Sequence, residues 1–207
     1  MESFWENRFK QEKFIWGNKP SFSAEVANKF FMTKQYKSML IPGSGYGRNA
    51  DYFADIGYSI TGVEISTLAI NLANKNKRIT YVNSDILNAQ FPAEHFDCIY
   101  CFNMLHLLQK DDRKKLISQA YDWLKKDGMG FFVVFSELEK AYGKGTMIEE
   151  NTFETRPGRP SHYFTESDLK EHFSHFAIEK TGIIEEPEEH EPEGKHVHLL
   201  RYICVTK

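Results

Sequence analysis

Leu40-Ile-Pro-Gly43-Ser-Gly45-Tyr-Gly47-Arg-Asn-Ala50 is the stretch from which the rest of the chain is read. Before it, the apolar Met39-Leu-Ile41 reads as a short buried strand; after it, Asn49 to Ile56 carries apolar residues at helical spacing and stops at Gly57, a helix C-terminal residue. Three glycines therefore stand where a strand turns into a helix, and backbone can approach a ligand there without interference from Cβ. A Gly-x-Gly-x-Gly string is a weak sign on its own. It gains strength from Glu64, 21 positions beyond Gly43 at the tip of the next strand, where a carboxylate can accept both hydroxyls of a ribose. Asp85 and Ile86 follow a third strand, where an adenine edge would lie at the carboxyl ends of the sheet. Three consecutive strand tips thus point to one nucleoside.

Outward from the loop, helical and strand periods alternate. Ser59–Val63 is the second strand, Ser66 caps a helix over Thr67–Lys75, and Thr80–Val82 is the third strand. Cys98–Phe102 is the fourth, a helix over Asp112–Lys126 closes at Gly128, and Gly130–Phe135 is the fifth. Such repeats predict an α/β fold, doubly wound, with a mostly parallel sheet and helices on both faces. After Ser136 the rhythm breaks: residues 137–163, with Gly143, Gly145 and Arg156-Pro-Gly-Arg-Pro160, read as a loop or lid. Thr165-x-x-Asp168 is a capping box opening a helix through Phe173. Ala177–Ile184 and His196–Val205 are joined without a helix, which predicts an antiparallel hairpin at the end of the sheet. Between them lie six glutamates in the nine residues from Glu185 to Glu193, expected to be solvated. The organisation is a single domain: an N-terminal cap segment (1–36), a donor-binding core (37–136), the loop or lid (137–163), and a C-terminal helix with its hairpin (164–207).

Bulk properties bound this reading. The chain has 207 residues, 41% apolar and 27% charged, with a formal charge of -3, which suits one domain able to build a core without staples. Its longest apolar run, Gly130 to Phe135, is far shorter than the ~20 residues of a membrane helix, and the N-terminus lacks a targeting pattern, so the expectation is a cytoplasmic protein. A balanced charge and an acidic run argue against nucleic acid, and nothing points to a membrane. Cys98, Cys101 and Cys204 are an odd count that suits a reducing compartment; the Cys98-x-x-Cys101 pair lies in a strand, where an odd spacing sends the thiols to opposite faces as core residues.

The glycine spacing selects the nucleoside. A dinucleotide site needs Gly-x-Gly-x-x-Gly so that a helix N-terminus can aim at pyrophosphate, and here the third glycine position is Arg48. A donor without phosphates, S-adenosylmethionine, has no such need. With that reading the sequence resembles a known family: Gly43-Ser-Gly45-Tyr-Gly47-Arg-Asn, Thr61-Gly-Val-Glu64-Ile-Ser66, Asp85-Ile86 and Phe91-Pro92-x-x-x-Phe96-Asp97 are similar to the successive motifs of class I S-adenosylmethionine-dependent methyltransferases, over residues 37 to 136. The resemblance implies a seven-stranded sheet whose C-terminal strand is antiparallel. It implies that Gly43, Gly45 and Gly47, with Ser44, Tyr46 and Arg48 between and beside them, meet the methionine portion. It further implies that Glu64 holds the ribose, Ile65 packs on adenine, and Asp85 with Ile86 reads the adenine. One departure is Ile41-Pro42, where the family commonly has an acidic residue two positions before the first glycine. The Pro-Gly-x-Gly-x-Gly string and the opening Phe4-Trp5-x-x-Arg8-Phe9 with Trp16-Gly17-x-x-Pro20 resemble, more narrowly, the thiopurine and thiol group and the tellurite-resistance type.

Methyl transfer from a sulfonium is an in-line displacement on an activated carbon, so the expected work of the protein is alignment and exclusion of water. Beyond strand four, Asn103 is a candidate to orient an acceptor and to touch the donor, and His106, with an ordinary pKa of ~6.5, is a candidate base against a structural reading. Trp5, Phe9, Phe14 and Trp16 are candidates for a cap over the acceptor or a staple to the sheet; Arg156, Arg159, His162 and Tyr163 are candidates to bind an acidic acceptor. His190, His196 and His198 invite a metal reading, but one strand beside an acidic loop does not guarantee a further converging ligand, so no metal is expected to be required. The function expected is methyl transfer to a small molecule, with thiol, selenium and tellurium species as candidate acceptors, by a monomer or homodimer. The rivals are an RNA or protein methyltransferase and a non-catalytic S-adenosylmethionine-binding module.

Overall fold

In the computed structural model, residues 2–190 and 194–207 are described, with side chains from Phe4 onward; Glu191, Pro192 and Glu193 of the acidic run lie outside them. Two helices, α1 (Glu2–Glu12) and α2 (Phe22–Phe31), lead into β1 (Ser38–Pro42), α3 (Arg48–Asp55), β2 (Ser59–Glu64), α4 (Thr67–Leu72), β3 (Ile79–Asn83) and β4 (Phe96–Phe102). There follow α5 (Lys110–Trp123), β5 (Leu124–Phe135), β6 (Thr146–Glu149), β7 (Thr152–Arg156), β8 (Arg159–His162), α6 (Glu166–His172), β9 (Ala177–His190) and β10 (Gly194–Thr206). Among the described residues seven strands form one sheet in the order β3-β2-β1-β4-β5-β10-β9. Strands β1 to β5 are mutually parallel, and β10 runs antiparallel to both β5 and β9. This is the doubly wound sheet with a reversed C-terminal strand that the sequence predicts.

Alternation along the strands makes two cores. In β5, Phe132 and Val134 enter one core with Leu40, Ile99, Cys101 and residues of α5, while Phe131 and Val133 enter the other with Ile41, Tyr100, Cys98 and residues of α2 and α3. Cys98 and Cys101 accordingly lie on opposite faces, each buried, as their odd spacing requires. With apolar side chains on both faces, the polar groups of the central strands are left at their tips, and the site gathers there.

Several boundaries differ from expectation. Helix α4 stops at Leu72, because Asn74 Nδ2 donates to Asp51 Oδ2 at 2.7 Å and draws the chain across to α3. Helix α5 stops at Trp123 rather than Lys126: Leu124 pairs with Phe96 in the sheet and Lys125 Nζ reaches Asp97 Oδ1 at 2.8 Å. The region read as a loop or lid holds a separate three-stranded antiparallel sheet, β6-β7-β8, and the breaker residues Pro157-Gly158 form its second turn, with Gly158 at φ +73°. The largest correction concerns the acidic run. Strand β9 continues through it to His190, so Glu185 and Glu189 face outward while Glu186 and Glu188 are only 1% and 8% exposed. Glu186 accepts the N–H groups of Phe22 at 2.7 Å and Ser23 at 2.8 Å, the orphan donors of the first turn of α2. No helix among the described residues is long and apolar enough to cross a membrane.

Candidate active site

The glycine loop closes over the tips of β1 and β2. Gly43 and Gly47 adopt φ +63° and +87°, a region that side chains rarely enter, and their missing Cβ atoms leave room for neighbours. A Cβ on Gly43 would stand 2.8 Å from Met104 Cγ, and one on Gly47 would run into Tyr81 Oη. Ser44 N–H donates to Val63 O at 3.0 Å, which ties the loop to β2. The buried Glu64 carboxylate is the fastening at the centre: Oε2 accepts Gly45 N–H and Oε1 accepts Ser66 N–H, both at 2.8 Å. Burial pushes its carboxyl pKa up, while these amides oppose the shift. Each oxygen keeps a second acceptor position. Asp85 Oδ1 accepts Leu87 N–H at 3.0 Å and so caps the short turn Ile86–Asn88, presenting the buried Ile86 at the tip of β3.

At the tip of β4, Asn103 has φ +51°, and its N–H donates to Val133 O at 3.0 Å. Its Oδ1 and the Ser44 Oγ are buried and make no hydrogen bond within the chain. Both residues line a cavity, where a bound molecule could complete their hydrogen bonds. His106 is brought to the same wall, 1% exposed, with its ring stacked on Phe135 at 3.8 Å between centroids. Its Nδ1 accepts Phe135 N–H at 3.2 Å, so the neutral ring carries its proton on Nε2. Burial holds its pKa well below the ordinary value. That ring is suited to donate a hydrogen bond, not to remove a proton.

A cavity of about 1030 Å³ connects these residues to the rest of the molecule. Its near end is lined by Gly43, Gly45, Glu64, Ile65, Asp85, Ile86 and Asn103; its far end by Trp5, Phe135, Arg156, Arg159, Tyr163, His190 and His196. The N-terminal aromatics form a cap that is also a staple. Phe9, Trp16 and Tyr46 pack together, Tyr46 Oη donates to Gly17 O and accepts Trp16 N–H, and Glu6 Oε2 accepts from Ser66 Oγ at 2.5 Å. Arg48 reaches Trp16 O at 3.4 Å and Glu188 Oε1 at 3.6 Å. Tyr46 and Arg48, expected beside the donor, thus line the cavity while tying the cap to the glycine loop. Phe14 meets Tyr46 edge-on and is otherwise half exposed.

The small sheet closes the other side. Arg159 lies over the rings of Phe4 and Trp5 at 5.2 and 5.6 Å, and Tyr163 stacks on Phe135. His162 does not join the acceptor side: its Nε2 meets Asp168 Oδ2 at 2.6 Å and its Nδ1 meets Thr152 Oγ1 at 2.8 Å, which fixes β8 to α6. Glu139 and Glu188, absent from the sequence-derived candidates, both face the cavity. Only the alternation of the acidic run could have indicated Glu188, and it was masked by glutamates on both faces.

Comparison with known proteins points to methyltransferases. Residues 40–128 match a family described as a methyltransferase domain. A phosphoethanolamine N-methyltransferase of Plasmodium falciparum is 31% identical over 103 residues, 47% of this chain and 39% of that protein, so the chain spans well under half of that relative's length. Among solved structures, a methyltransferase described as S-adenosylmethionine-dependent from Methanosarcina mazei superposes with a TM-score of 0.73 at 22% identity, covering 86% of this chain and 96% of that one. The 1,6-didemethyltoxoflavin-N1-methyltransferase of Burkholderia thailandensis, solved with its substrate and S-adenosylhomocysteine, gives 0.69 at 20% identity, covering 90% and 77%. At these identities the structural likeness shows the fold.

Proposed function

We propose that the chain, whose residues 40–128 match a methyltransferase domain, is a class I S-adenosylmethionine-dependent methyltransferase that methylates a small-molecule acceptor, with thiol, selenium and tellurium species as candidates. The observation that carries this is the continuous cavity of about 1030 Å³ running from the glycine loop to a chamber roofed by the N-terminal helix and the small sheet. Covered clefts of this scale take small ligands and bury most of their surface. S-adenosylmethionine supplies a methyl group already activated on a sulfonium. The residues fit such a donor: glycine backbone along its amino-acid tail, the spare acceptor positions of Glu64 for the ribose hydroxyls, and Ile65, Asp85 and Ile86 for adenine. Asn103 Oδ1, buried without a partner, is an acceptor for the donor's ammonium where Ile41-Pro42 offers no carboxylate.

On the acceptor side the chain contributes alignment and dryness. Because His106 holds its proton on Nε2, the acceptor favoured is one with a lone pair ready at neutral pH, such as a thiolate. Screening thiols, selenite, tellurite, halides and small amines for S-adenosylhomocysteine production tests the reading. Turnover of a small acceptor that disappears in Glu64→Ala is expected; turnover confined to RNA or protein would overturn it, as would donor binding with no turnover at all.

A further inference from the structure

We propose that Glu188, His190, His196 and His198 form a binding site for one divalent transition-metal ion at the end of the β9–β10 hairpin. The inference goes beyond methyl transfer and stands without it. Pleating puts the four residues on one face: Glu188 and His190 are two apart in β9, His196 and His198 two apart in β10, and Glu188 is the cross-strand partner of His196. Glu188 Oε2 lies 3.5 Å from His190 Nε2 and 3.7 Å from His198 Nε2, and His196 Nε2 lies 3.1 Å from His198 Nε2. One ligand atom from each of the four falls within 4.8 Å of all the others. A tetrahedral zinc ion with bonds of about 2.0–2.1 Å sets its ligand atoms roughly 3.4 Å apart, close to the spacing found.

The partners of the outer ring nitrogens add a second observation. His196 Nδ1 is 2.8 Å from Gly194 O, and His198 Nδ1 is 2.9 Å from Glu139 Oε2, so each ring has an oxygen acceptor at Nδ1 and turns Nε2 toward the cluster. With each Nδ1 so engaged, the Nε2 atoms of His196 and His198 face each other at 3.1 Å, with a carboxylate oxygen beside them. A cation placed there would be shared by both ring nitrogens and the carboxylate. The contacts at Nδ1, one to a carbonyl and one to a carboxylate, are also the supporting bonds that orient metal-bound imidazoles. Three imidazoles and one carboxylate suit zinc, cobalt, nickel or copper rather than magnesium or calcium, which prefer oxygen ligands. Arg48 beside Glu188 Oε1 leaves Oε2 for the ion. With four protein ligands the site is closed, which is the structural kind: the ion joins β9 to β10 and, through Glu139, to the segment after β5, and so fixes one wall of the acceptor chamber.

The test uses the full chain stripped with a chelator and titrated with zinc chloride against a chromophoric chelator, then with cobalt chloride read by absorption. One zinc per chain, a rise in thermal midpoint on adding it, and the intense visible bands of tetrahedral cobalt are expected. His196→Ala with His198→Ala should weaken zinc binding at least about 100-fold, and Glu139→Gln about 10- to 100-fold. Circular dichroism and donor affinity of each variant separate a lost ligand from a lost fold. If the double variant does not fold, the cobalt spectrum of the native chain decides. No zinc uptake by the native chain would overturn the proposal, leaving a shared proton between the rings, and so would unchanged uptake by a folded double variant. Donor binding by the stripped chain reports on the methyltransferase reading separately.

Discussion

The two ends of the cavity are built in different ways. At the donor end the decisive contacts are local: Gly45 and Glu64 are 19 residues apart, Glu64 and Ser66 two, and the groups offered are largely backbone amides at consecutive strand tips. At the acceptor end the contacts join remote segments: Leu199 with Glu139 across 60 positions, His198 with Glu139 across 59, and Arg159 with Trp5. On the proposed reading, the donor site travels as a contiguous stretch of sequence, whereas the acceptor chamber exists only once remote segments have come together.

The largest effect expected tests the donor end at its fastening. Glu64→Ala leaves the amides of Gly45 and Ser66 without acceptors, at about 1–3 kcal/mol each, and removes the carboxylate assigned to the ribose. Donor affinity by calorimetry should fall well over tenfold, tenfold being about 1.4 kcal/mol. Asp85→Ala should follow with a smaller loss. Unchanged affinity in both would remove the basis for treating the donor end as a local assembly. Next in size is Gly47→Ala, which forces an alanine into the left-handed region and against Tyr81, at about 1–3 kcal/mol. Adding Tyr81→Phe should recover part of that loss, because the hydroxyl is the atom in the way. A double variant no better than the single one would show that backbone conformation alone matters there.

The same contrast explains what the sequence could show. Strand tips, glycine loop, Ser66 cap and the Thr165 cap are encoded by neighbours in the chain, and the structure has each where local patterns put it, although the Asp168 carboxylate turns to His162 and His172 instead of completing a capping box. Helix ends went astray where a distant partner intervened, as Asp97 does for Lys125. The 137–163 segment was read as irregular because turn-forming residues look alike whether they punctuate a small sheet or a loop. In the acidic run, composition argued for solvation, yet a strand sends alternate residues inward, and Glu186 and Glu188 find helix amides, Arg48 and histidines that no local pattern reveals. The place of Asn103 just after β4 was legible; its positive φ and unpartnered Oδ1 were not.

A third prediction concerns the boundary between the ends, where His106 stacks on Phe135. Its folded pKa is lowered by burial, so the unfolded chain takes up a proton near pH 6.5 that the folded chain refuses. The stabilisation is therefore whole above about pH 6.5 and declines as the pH falls below it, by about 1.4 kcal/mol per pH unit for one proton. His162, also lowered, adds to the slope, and His198, raised, opposes it by losing its contribution as pH rises. His106→Gln keeps an acceptor for Phe135 N–H and should flatten the decline measured by urea unfolding at pH 7.5, 6.5 and 5.5. Methyl transfer should persist. Its loss with donor affinity intact would return His106 to the reaction itself.

The smallest expected effect is the most discriminating. Arg159 closes the chamber from the small sheet onto Phe4 and Trp5, contacts worth about 0.5–1 kcal/mol at a partly exposed site. Arg159→Ala should lower the thermal midpoint by no more than about 2–4 °C. Donor affinity should not move, since Glu64 is fastened by the amides of Gly45 and Ser66. If the far end receives the acceptor, KM for a small acceptor should rise several-fold with kcat little changed, because what is lost is binding shared by the ground and transition states. An equal fall in kcat would instead mean that closure aligns the reacting atoms. A fall in donor affinity would break the division itself, showing that the cap segment is as much a part of the donor site as the strand tips beneath it.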